Sequence, residues 1–69
     1  MYKNLKAELV RAEIDNQDLA TLLNITPGTA SLKVNGKTII TVSEAFAIQK
    51  YIYEKTKNMI SIDELFKPA

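Results

Sequence analysis

The stretch Leu23–Lys37 reads LNITPGTASLKVNGK, and the fold turns on its Pro27-Gly28. Pro-Gly ordinarily marks a turn, yet the residues on both sides are helical in type. Thr26, just before it, is a good N-cap. Proline is at home at the first helical position, where its missing N–H is no loss and its fixed φ suits the helix. Pro27 is therefore predicted to start a helix that runs to about Val34. Asn35-Gly36 ends it, with Gly36 supplying a positive φ. Ile25 and Ala30 form a weak staple across the cap. Gly28 is a local liability, costing roughly 1 kcal/mol against alanine in a helix interior and less in the first turn.

Upstream, Asp15 is a good N-cap for a helix from about Asn16 that carries Leu19, Ala20, Leu22 and Leu23. Asp18 favours the positive end of its dipole, and Ile14 with Leu19 makes a hydrophobic staple. Asn24 tolerates the left-handed conformation that ends many helices. Before it, a first helix spans Tyr2 to about Glu13, with Leu5, Leu9, Ala12 and Val10 as its apolar face. Downstream, Thr38–Val42 (TIITV) is β-branched and suits a short extended piece. Thr41-Val42-Ser43-Glu44 is a capping box that starts the longest helix, to about Lys55. Val42, Ala45, Phe46, Ile48, Gln49 and Ile52 share one side of it, flanked by Tyr51 and Tyr53. Ser61-Ile62-Asp63-Glu64 is a second capping box, with Ile60 and Leu65 as its staple, and Pro68 stops a short fifth helix.

The chain has 69 residues, 46% apolar and 25% charged, ordinary for one globular domain. So short a chain buries a limited share of its surface, so stability rests on efficient packing. Cysteine and histidine are both absent, which removes thiol nucleophiles, imidazole bases and nearly all zinc chemistry. The cysteine-free composition suits a reducing cytosol. No apolar run approaches a membrane span, and the N-terminus lacks a signal-peptide core. The net charge of +1 does not by itself announce a nucleic-acid binder.

The second and third helices carry the functional signal. Both are short, and Asn24-Ile25-Thr26 joins them tightly. Leu19, Ala20, Leu23, Ile25, Ala30 and Val34 would lock them at a steep angle, and the small Ala20 permits close approach. That is a helix-turn-helix pattern over about residues 16–35. The stretch DNQDLATLLNITPGTASLKVNGKTIITVSEAF (Asp15–Phe46) resembles the Cro/CI-type (XRE-like) helix-turn-helix family of phage and bacterial transcriptional regulators. The resemblance lies in Asp15, Leu19-Ala20, Leu23, Asn24, Ile25-Thr26 and Asn35-Gly36-Lys37. The capped start at Thr41 and the terminal SIDELF (Ser61–Phe66) extend it over nearly the whole chain.

The resemblance implies an all-α, compact five-helix, lambda-repressor-like DNA-binding domain spanning residues 1–69, usually dimeric on a palindromic operator. Its third helix would enter the major groove. Pro27, Gly28, Thr29, Ser31, Leu32 and Lys33 form the candidate base-contact set. Thr29 and Ser31 hydrogen-bond bases or phosphates, Leu32 meets a thymine methyl, and Lys33 reaches a phosphate or a guanine. Phosphate contacts are assigned to Asn16, Gln17, Thr26, Asn35, Lys37 and Thr38, with the helix N-termini contributing N–H groups. Lys3 and Lys6 add long-range attraction. The sequence departs from the family at Pro27 and Gly28, where Gln, Arg or Lys is common. Specificity is therefore expected to be modest, with shape and backbone contacts carrying more of it.

An enzyme is not expected. Most carboxylates are explained as caps and solvated faces, and no nucleophile, paired-carboxylate or phosphate-loop motif is present. No cofactor, metal, membrane or small-molecule substrate is implied. The expected partner is double-stranded operator DNA in the cytoplasm of a bacterial host. The rival is a protein-interaction module that grips another phage repressor. A homodimer is the third expectation, with Tyr51, Tyr53, Ile60, Ile62 and Phe66 as apolar groups around the last two helices.

Overall fold

Local capping sets the element boundaries. The computed structural model describes residues 2–68. Its helices are α1 (Lys3–Arg11), α2 (Asn16–Leu23), α3 (Pro27–Val34), α4 (Val42–Thr56) and α5 (Ile62–Leu65). Among the described residues there is no strand; residues 38–41 cross from α3 to α4 without pairing. A β-branched run this short has no neighbouring strand to complete its hydrogen bonds.

Each predicted cap is present. Asp15 Oδ1 accepts from Asp18 N–H at 2.8 Å, and Asp18 answers by accepting from Asp15 N–H at 3.3 Å. Thr26 Oγ1 accepts from Thr29 N–H at 3.2 Å, with Pro27 in the first turn. Thr41 and Glu44 exchange bonds of 3.1 and 3.0 Å. Ser61 Oγ accepts from Glu64 N–H, but Glu64 does not complete a box; its carboxylate accepts from Asn4 Nδ2 at 3.3 Å.

The helix ends share a different device. Glu13, Asn24 and Lys57 have φ of 58°, 58° and 60°, and Gly36 has 75°. At Asn24 the following N–H, of Ile25, reaches the Ala20 carbonyl. At Glu13 the N–H of Ile14 reaches Leu9, and at Gly36 that of Lys37 reaches Leu32. These are Schellman closures. Asn24 and Gly36 were predicted to end their helices. Glu13, expected inside α1, is instead the left-handed residue beyond it. Left-handed backbone costs a β-carbon-bearing residue roughly 1–2 kcal/mol. Glu13→Gly should therefore raise the unfolding free energy by about 0.5–1 kcal/mol, the entropy of the freed unfolded chain offsetting part of the relief. Urea midpoints would read this, and an unchanged midpoint would mean Glu13 carries no net strain.

The core is one cluster: Leu5, Leu9, Ala12, Ile14, Leu19, Ala20, Ala30, Val34, Ile48, Ile52 and Leu65. α2 and α3 form the most extensive helix pairing; α4 backs α2, and α5 closes against α1 and α4. Asn4 Nδ2 donates to the Glu64 carbonyl at 2.9 Å, and Gln49 Nε2 to the Ile60 carbonyl at 2.7 Å, holding the last loop and α5 in place. Tyr2 and Phe66 meet edge-on at 5.6 Å. Three apolar residues expected on inner faces are exposed: Val10, Val42 and Phe46. Each helix buries a narrow stripe here. Val10 sits about 100° round from Leu9, and Val42 and Phe46 lie beyond the Ala45–Ile48–Ile52 line.

Candidate nucleic-acid interface

α2 and α3 are fixed to each other by small and branched side chains. Leu19, Ala20, Ala30 and Val34 are all buried, and Leu23 and Ile25 pack partly against them. Ala30 is fully enclosed, so α3 sits with its inner face directly on α2. The connection Asn24–Thr26 turns through one left-handed residue and one cap. This leaves the first turn and outer side of α3 on the surface.

The expected base-contact residues are not equally available there. Pro27, Gly28 and Leu32 are exposed, whereas Thr29, Ser31 and Lys33 are half-buried. Thr29 Oγ1 lies 2.9 Å from Thr26 Oγ1, a hydroxyl pair inside the cap. Ser31 Oγ receives a long 3.4 Å contact from Asn35 Nδ2. A β-carbon built on Gly28 would meet nothing within 4 Å. The Gly28 N–H has no partner among the described residues.

Lys33 does not point outward as expected. Its side chain is 12% exposed, and Nζ donates to the Ile39 carbonyl at 2.8 Å and to Glu44 Oε1 at 3.1 Å. The ammonium thus ties the last turn of α3 to the start of α4. Glu44's role in a capping box was readable; its pairing with a lysine eleven residues earlier had no local signal. Several groups converge on this carboxylate and hold it below its ordinary value of 4.5: foremost the Thr41 backbone N–H, then Lys33, against an opposing effect of desolvation. A lowered folded pKa means stability present above the unfolded value and lost as pH falls through the folded one. Wild type should therefore lose stability below about pH 4.5, and Glu44→Gln should lack that part of the loss. Urea midpoints at pH 6 and pH 3 check it; equal acid losses in both proteins would remove Glu44 from the account.

Of the phosphate candidates, Asn16, Gln17, Thr26, Lys37 and Thr38 are exposed. Asn35 is half-buried, and its amide donates to the Ser31 carbonyl at 2.9 Å, so this side chain serves the end of α3. The two helix N-termini differ in charge. α2 carries Asp18 in its first turn behind Asp15, whereas α3 has no acidic residue there. With no acidic residue in its first turn, the start of α3 is the better seat for an anion.

Of the five apolar residues around the last two helices, Tyr51, Ile60 and Phe66 pack partly against the core and Ile62 is half-buried; Tyr53 is exposed. Among the described residues no cluster of His, Cys, Asp and Glu could hold a metal, and no helix is long and apolar enough to cross a membrane. The chain matches no family model, no curated protein and no solved structure.

Proposed function

We propose that this chain is a helix-turn-helix DNA-binding domain of the lambda-repressor-like kind, acting as a phage- or prophage-type transcriptional regulator of the Cro/CI type. The observation that carries the reading is the α2–α3 pair. Two eight-residue helices are locked through Ala20 and Ala30, and the first turn of α3 is exposed and free of acidic groups. In this reading α3 lies in the major groove with Pro27, Gly28 and Leu32 nearest the bases. Leu32 meets a thymine methyl, and Thr29 and Ser31 contribute where their hydroxyls reach. Gly28 offers its amide rather than a side chain. Asn16, Gln17, Thr26, Lys37 and Thr38 hold the phosphates on either side. Lys33 acts indirectly, by fixing α3 against α4.

A second reading has a specific support. With Lys33 neutralised by Glu44 and a net charge of +1, little positive field remains near α3. That suits a module that grips another phage repressor. A mobility titration on operator-containing DNA over a salt series separates the two. Neutralising about one phosphate per domain, with Lys37, predicts affinity falling roughly three- to fourfold between 50 and 200 mM salt. Absence of binding at low salt, together with tight binding to a repressor, would reject the DNA reading.

A further inference from the structure

The α3–α4 connection, α4, α5 and Tyr2 enclose an apolar recess of 220 Å³ that the α2–α3 face does not use. Burial grades through it. Ala45, 8% exposed, forms the floor. Tyr2, Ile40, Ile62 and Phe66 are half-buried and form the walls. Val42 and Phe46, 72% and 56% exposed, form the rim. No charged residue lines it. Thr41, which also borders it, has its hydroxyl oxygen engaged in the α4 cap, accepting the Glu44 N–H at 3.1 Å.

We propose that this recess is a binding site for a small, neutral aromatic molecule. Size sets the scale. An apolar cavity of roughly 150 Å³ takes benzene, so 220 Å³ has room for a second fused ring. A specific protein contact covers roughly 800 Å² of each partner, and a recess that holds one or two rings supplies only a small part of that. Charge sets the class. A charged ligand would give up its hydration and find no counter-charge on the lining. Shape favours a ring. Three of the eight lining side chains are aromatic. The rings of Tyr2 and Phe66 already stand edge-on, 5.6 Å apart, an arrangement to which a further ring adds by edge or offset contact. Ile40 and Thr41 belong to the connection that Lys33 ties back through the Ile39 carbonyl. The ligand would therefore rest against the segment that leads from α3 to α4. The inference does not depend on DNA binding.

Indole, neutral and bicyclic, is the probe. Titrated into the isotopically labelled full chain, it should give saturable NMR shifts at Ile40, Ala45 and Ile62, with a dissociation constant of roughly 1 mM for so few atoms. Indole-3-acetate, which adds a carboxylate, should bind at least about tenfold more weakly. Val42→Asp places a charge on the rim and should weaken indole binding about fivefold. That variant should keep the fold, since the position is exposed and an acidic residue suits the first turn of α4. Ala45→Leu should fill the floor and abolish saturation. Val10→Asp, similarly exposed on α1 and outside the recess, should leave binding unchanged. Absence of shifts at the lining residues up to about 10 mM indole, well above the expected constant, overturns the proposal. So does saturable binding that Val42→Asp leaves unchanged, or tighter binding of the carboxylate. Shifts at the lining residues that follow the protein's own concentration instead would give the recess to a second copy and also overturn it.

Discussion

Leu65→Ala should lower the unfolding free energy by roughly 2–5 kcal/mol. Leu65 is 0% exposed, yet it belongs to a helix of four residues. So short a helix has no stability of its own in water. It is held by the Ser61 cap, by Asn4 on the Glu64 carbonyl, and by the burial of Leu65 against α1 and α4. Truncating the side chain removes the apolar anchor and leaves a cavity that α5 cannot fill without releasing those polar bonds. A domain of this size has a total stability of only about 3–10 kcal/mol. The variant should therefore melt at least about 10 °C lower. Thermal and urea unfolding followed by circular dichroism provide the measurement. A loss below about 1 kcal/mol would show that α5 is an appendage rather than part of the core.

Gly28→Gln should change which DNA sequence is preferred without harming the fold. The position is exposed, its φ lies outside the left-handed range, and a β-carbon there has open space. Exchanging glycine for a better helix former gains up to about 1 kcal/mol of stability. On the proposed DNA face, the new amide reaches the adenine edge that glycine leaves unread. A bidentate contact of this kind discriminates by about 1–3 kcal/mol, roughly five- to 150-fold at one base pair. Pro27→Gln, which also restores an N–H to the first turn, should act in the same direction. Selection from randomised duplexes, compared with wild type, reads the shift. An unchanged preference in both variants would mean that this turn never meets the bases.

The start of α3 was legible because its determinants are local. Thr26, Pro27 and Thr29 lie within one turn, and a cap hydrogen bond spans three residues in sequence. The same holds for Asp15, Thr41 and Ser61. The left-handed residues Asn24 and Gly36 were readable because their side chains suit that backbone. Glu13 and Lys57 were not, since neither residue type prefers it. At Glu13 the conformation follows from where the next apolar residue must go: Ile14 has to reach the core.

The candidate site divides along the same line. Pro27, Gly28 and Leu32 were expected on the surface and are there. Lys33 and Asn35 were also expected to meet DNA, but the fold has engaged both. Asn35 bonds within its own helix end. Lys33 is drawn to Glu44, a partner whose proximity depends on how the α3–α4 connection folds back.

By itself the sequence determined five helices, their starts, and the pairing of α2 with α3 through Ala20 and Ala30. Each of these rests on caps, helical periodicity or small-residue spacing, which act over a few residues. Tertiary structure decided which apolar residues stay outside and which charges are consumed. Val42 and Phe46 obey the helical period as well as Ile48 does, but only contacts from α1, α2 and α5 choose the stripe that is buried. The physical reason is that a helix fixes the angles between its own side chains and leaves its rotation about its axis to the neighbours it packs against.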